Sequence, residues 1–81
     1  MNGYKNWSHY NVAIWMHNDR ELYRVMISTV QDSGTLEQAI VKVHSQLKGG
    51  KTQDGVPFTL AAIREAMEGQ ELEEFLDVAA Q

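Results

Sequence analysis

Between Tyr4 and Tyr23 the chain reads YKNWSHYNVAIWMHNDRELY, a stretch that holds both tryptophans, all three tyrosines and the longest apolar run, Val12 to Met16. Trp7, Asn11, Ile14 or Trp15, and Asn18 recur at helical spacing. Asn6 or Ser8 is placed to cap such a helix, because either side chain accepts from the free amides of a first turn. The spacing predicts a helix over residues 8–17. Val12, Ile14, Trp15 and Met16 cover more than one face, and a short helix that is apolar nearly all round is usually buried on several sides. The sequence therefore places residues 8–17 at the centre of the fold. It also makes Trp15 a larger contributor to stability than Phe75, which lies near an end.

The remaining segments are amphipathic and suited to closing over that helix. Asn18 with Glu21 has capping-box spacing, and predicts a helix restart followed by a second helix from Asp19 to Val30, with Leu22, Met26 and Val30 in line. Thr35 with Gln38 repeats the box, and Leu36, Ala39 or Ile40, Val43 and Leu47 form the cleanest amphipathic pattern in the chain. Gly49-Gly50 ends it, since glycine enters the left-handed C-terminal position without strain. A fourth helix is predicted from Thr59 to Glu68 with Phe58, Leu60, Ile63 and Met67 inward, and a fifth from Gln70 to Ala79 with Leu72, Phe75, Leu76 and Ala79 on one face. The expected fold is all-α, a single small domain of four or five short helices over residues 1–81, with a flexible linker at 48–55. The β-branched residues of 22–30 and 40–43 leave an α+β alternative with short strands there.

At 81 residues the chain has room for one domain, and each large apolar side chain counts heavily in so small a core. There is no cysteine, hence no disulfide framework, thiolate metal site or thiol nucleophile. MNGYKNW lacks a basic region followed by an apolar run, so no signal peptide is expected. No apolar run approaches the ~20 residues of a membrane span. These features predict a cytoplasmic protein without a membrane partner. The net charge is −4, and from Glu65 onward six acids (Glu65, Glu68, Glu71, Glu73, Glu74, Asp77) meet no base. A nucleic-acid binder needs a cationic stripe, so direct nucleic-acid binding is not expected.

The motif in Tyr4–Tyr23 resembles that of a family of small uncharacterised proteins common in bacteriophages and some bacteria, which opens with Y-x-N-W-E-T-W-N-V-A-L-W-x-x-N-D-x-x-L-Y. Tyr4, Asn6, Trp7, Asn11, Val12, Ala13, Trp15, Asn18, Asp19, Leu22 and Tyr23 match it position for position. Thr52-Gln53-Asp54-Gly55-Val56 resembles the family's second motif, T-P-D-G-V. Ser8, His9 and Tyr10 depart where the family has Glu, Thr and Trp, Gln53 departs from Pro, and residues 24–48 carry no resemblance. The resemblance implies a phage or mobile-element setting, with the host cell as the compartment. It supplies no catalytic residue.

Candidate chemistry in the residues themselves is sparse. His9 and His17 lie about two helical turns apart, too far to share an ion, and a metal site would need His44 and Asp19 brought in by folding. Ser8, His9 and Asp19 lack the strained nucleophile turn of a hydrolase. The glycines of 48–55 do not form a phosphate loop. No cofactor, no metal and no enzymatic activity are expected. What remains is binding. The acids Glu68, Glu71, Glu73, Glu74 and Asp77 form a candidate docking face for a basic partner, and Trp7 and Tyr10 are candidate aromatic anchors. The sequence-level expectation is a phage-type inhibitor of a host protein or ribonucleoprotein defence complex, an anti-CRISPR in its most specific form. The alternatives are a small ligand-binding or enzymatic domain built on the aromatic motif, and a self-associating, homodimeric structural protein.

Overall fold

The computed structural model describes residues 3–80. Its elements are α1 (Trp7–Asn18), α2 (Arg20–Gln31), α3 (Leu36–Leu47) and α4 (Leu60–Glu68), followed by 3₁₀ turns at Glu73–Phe75 and Val78–Ala80. The all-α expectation holds. Residues 22–30 and 40–43 are helical, and among the described residues the only β pairing is an isolated antiparallel bridge between Lys51 and Pro57. Each helix is started by a side chain that satisfies otherwise orphaned amides. Asn6 accepts from His9 N–H, Thr35 from Gln38 N–H and Thr59 from Ala62 N–H. Gln38 returns the bond one residue further back than a standard box, to Gly34 N–H at 2.9 Å.

The break between α1 and α2 is made by Asp19 rather than by the expected Asn18. Its backbone N–H closes α1 on the Trp15 carbonyl at 2.9 Å. Its carboxylate opens α2 by accepting from Glu21 and Leu22 N–H, both at 3.0 Å. One extended residue thus ends one helix and caps the next.

The helices close a ring in which α1 and α3 each pack against α2 and α4, with α1 on α4 the broadest contact. The core is Val12, Ala13 and Met16 of α1, Met26 and Val30 of α2, Ala39, Ile40 and Val43 of α3, and Ala62, Ile63, Ala66 and Met67 of α4, sealed by Val56, Phe58 and Leu72. The alanines on three of the four helices keep side chains short where helices approach. Met16, Met26 and Met67 are fully buried, and their flexible thioethers fill irregular gaps.

Three expectations are corrected. Helix α1 is one wall of the ring, not a rod enclosed on all sides. At about 100° per residue Val12, Ala13 and Met16 form one stripe, and the opposite stripe leaves Trp7 48% and Ile14 36% exposed. Trp15 lies between the two and is half-buried, as is Phe75, so the organising side chains are the methionines. Leu60, expected inward, is exposed because it flanks the Ile63–Ala66 stripe. The expected fifth helix is replaced by the two 3₁₀ turns. Gly69 caps α4, and an extended residue at Leu76 (ψ 149°) lets Asp77 N–H reach the Ser33 carbonyl at 2.9 Å. That bond, with the burial of Leu72, holds the C-terminal segment against the α2–α3 turn.

The two sides of α1 should respond differently to truncation. Met16→Ala is expected to cost about 2–5 kcal/mol, and Ile14→Ala less than about half of that, as read from chemical denaturation. Equal losses would contradict this placement of α1.

Candidate functional site

The polar side of α1 is where distant parts of the chain meet. Residues 50–58, which include most of the segment expected to be a flexible linker, form a tight turn bonded to itself and to α1. Phe58 N–H donates to the Gly50 carbonyl at 3.2 Å, Thr52 N–H to the Val56 carbonyl at 2.8 Å and Gly55 N–H to the Thr52 carbonyl at 2.9 Å. Gly55 sits at φ +87°, a left-handed conformation that side-chain-bearing residues adopt only with strain. The turn is anchored from below by Val56 and Phe58, both buried.

Its upper side is fastened by a four-residue polar network. Asn11, 6% exposed, donates through Nδ2 to Asp54 Oδ2 at 2.7 Å and accepts at Oδ1 from Thr52 Oγ at 2.7 Å. The Trp15 indole N–H donates to the same Asp54 oxygen at 2.9 Å. Thr52 Oγ in turn accepts from Val56 N–H at 3.2 Å. No buried side-chain polar atom among the described residues lacks a partner, as a stable polar network requires. The Trp15 indole bond, and then the Asn11 amide bond, hold the Asp54 carboxyl below its ordinary pKa. Asn11 and Trp15 of the Tyr4–Tyr23 stretch and Thr52 and Asp54 of the 52–56 stretch are therefore in direct contact.

A second bridge joins α1 to α4. Glu65 accepts from the His9 imidazole Nδ1 at 2.8 Å and from Lys5 N–H at 2.7 Å. The His9 bond is the larger cause that lowers the Glu65 pKa, with the Lys5 N–H adding to it. About two turns further along α1, His17 Nε2 donates to the Ala66 carbonyl at 3.2 Å. Ser8, His9 and Asp19 do not form a catalytic array, because His9 is engaged with Glu65 and Asp19 with the start of α2. No group of three or more His, Asp or Glu side chains is placed to hold a metal ion among the described residues. Among the described residues no helix is long and apolar enough to cross a membrane.

The expected docking residues separate into two sets. Glu68, Glu71, Glu73, Glu74 and Asp77 are all exposed. Glu68 is 4.0 Å from Arg64, whose guanidinium is otherwise paired in a fork with Glu37. Asp77 Oδ1 accepts from Ala79 N–H at 3.0 Å. Glu65, the first of the six acids in the C-terminal run, is turned into the α1–α4 bridge instead. Of the aromatic candidates, Trp7 is exposed, whereas Tyr10 is half-buried with its ring 5.8 Å from that of Tyr4. No family model, curated protein or solved structure matches this chain.

A carboxyl held below its ordinary pKa by native contacts stabilises the fold fully above the unfolded value and loses that contribution as pH falls through the folded one. The ordinary Asp and Glu values are about 3.9 and 4.3, so Asp54 and Glu65 should make thermal stability fall as pH drops below about 4. Asp54→Asn should flatten this acid limb in a melting series from pH 6 to 2, and Trp15→Phe, which removes the donor along with part of the ring, should flatten it in the same sense. An unchanged limb in both variants would contradict the assignment.

Proposed function

We propose that this chain is a small protein-binding inhibitor directed against a host nucleic-acid-handling defence complex, in its most specific form an anti-CRISPR. The observation that carries the proposal is the acidic edge of Glu68, Glu71, Glu73, Glu74 and Asp77, whose side chains are exposed and, apart from the long Arg64 contact, form no ion pair among the described residues. Guide-dependent nucleases hold nucleic acid in cationic channels. An exposed carboxylate edge on a small rigid body can border such a channel and compete with nucleic acid. The pairing would speed encounter and fade with salt, because exposed charges are screened beyond about 8–10 Å at physiological ionic strength. The resemblance of the Tyr4–Tyr23 and Thr52–Val56 motifs to a phage family supports the setting. Trp7, exposed on the outer face of α1, supplies a candidate aromatic anchor.

Binding fits the polar groups better than catalysis does. His9 and Glu65, the nearest approach to an acid–base pair, bond to one another and to Lys5 N–H in a bridge between helices. Asp54 is saturated on one oxygen by two donors that fix a turn.

Reversal of two charges tests the reading. Glu71→Lys with Glu74→Lys, in a variant that remains folded, should abolish protection of a phage from CRISPR interference in cells that the wild type protects. Retained protection would remove the acidic edge as the contact. Absence of protection by the wild type across several CRISPR types would remove the anti-CRISPR form.

A further inference from the structure

The outward face of α2 opposes the acidic edge in charge. Arg20, Tyr23, Arg24, Ile27, Ser28 and Gln31 line a shallow groove along it. Arg20 and Arg24 stand one turn apart, so their side chains rise from neighbouring positions. Neither makes an ion pair or a side-chain hydrogen bond among the described residues, although the chain carries 11 acids against 7 bases. Between them Tyr23 is 43% exposed. Arginine and tyrosine are the side chains most enriched at the energetic centres of interfaces. We propose that this face is a self-association surface, on which a second copy of the chain seats its own acidic segment, Glu71–Val78.

Complementarity selects that occupant. The segment presents exposed Glu71, Glu73 and Glu74 to meet the two arginines, and Val78, 76% exposed, to cover Tyr23 and Ile27. Its Glu73–Phe75 turn packs against α2 of its own chain, so the acidic edge adjoins the helix that carries the face. A two-fold pairing then satisfies both at once, each copy's arginines meeting the other's carboxylates, and closes the assembly as a dimer. A dimer built by placing α2 directly on α2 would oppose like charges. Nucleic acid is disfavoured as the occupant, because two arginines on a chain of net charge −4 release few counterions. A standard interface covers about 800 Å² per partner, roughly one-sixth of the 4883 Å² that the monomer exposes. The pairing is independent of any host target. If both hold, a cationic host partner and the second copy compete for the same carboxylates.

The test is the mass in solution by sedimentation equilibrium. Wild type should be dimeric at about 0.05 M salt and monomeric at about 1 M, where the Debye length falls to about 3 Å. Arg20→Glu with Arg24→Glu, and separately Glu71→Lys with Glu74→Lys, should each be monomeric at low salt. An equimolar mixture of the two should regain a 1:1 dimer, since both contacts are then complementary, one with the native sign and one with the sign reversed. A wild type monomeric at low salt and high concentration overturns the proposal, as does a dimer indifferent to either reversal. Monomers in the mixture overturn it too, provided both variants keep the helical circular dichroism of the wild type. Binding of a short duplex DNA that Arg20→Glu with Arg24→Glu abolishes would reassign the face to nucleic acid. The arginine variant leaves the acidic edge intact, so its protection of phage separates this inference from the host-inhibitor reading.

Discussion

The amide of Asn11 decides how this chain closes. A buried carboxamide is costly unless both its ends are bonded, and Asn11 finds its partners 41 and 43 residues away, in Thr52 and Asp54. Those partners belong to a turn that could otherwise drift, because it follows Gly49 and Gly50 and contains Gly55. Fastening it to α1 fixes the start of α4 close behind, through Val56 and Phe58 in the core and Thr59 at the cap. The broad α1–α4 contact, with Glu65 bonded to His9, then follows from where the turn is held.

The same logic sorts the polar groups of the chain. Polar groups around α1 are consumed within the fold: Asn6 caps the helix, and Asn11, Trp15, His9 and His17 join it to other elements. The groups without such duties lie elsewhere, as carboxylates along the C-terminal segment and as arginines along α2. A small domain cannot stabilise itself with a large core, and here it uses short polar bridges between helices as well. Its charged edge and its charged face take no part in those bridges.

Local signals in the sequence translated well. Asn6 and Thr35 cap helices as the sequence predicts, Thr59 caps the helix it is expected to begin, and Met67, Ile63, Val43 and Ile40 are buried where the 3.6-residue period puts them. Non-local facts did not translate. The polar, glycine-bearing composition of 48–55 reads as a connector, because composition carries no trace of a bond between Asp54 and Asn11. Leu72, Phe75 and Leu76 have helical spacing, yet they pack equally well from a 3₁₀ turn once Asp77 is tied to Ser33. Glu65 belongs to an unbroken run of acids in sequence, and only the fold sets it beside His9. Arg20 and Arg24 could have been found, since two arginines at i and i+4 on the polar side of an amphipathic helix are visible in the sequence.

The central claim is that Asn11 and the 52–56 turn act as one unit, and a double-mutant cycle between Asn11→Ala and Thr52→Ala measures it most directly. Both residues are buried, and side chains in one hydrogen-bonded network couple by about 0.5–3 kcal/mol. The account predicts a coupling energy in that range from chemical denaturation, with the double variant losing less than the two single losses combined. Losses that add to within about 0.3 kcal/mol would show that the turn and α1 are held independently, and would contradict it.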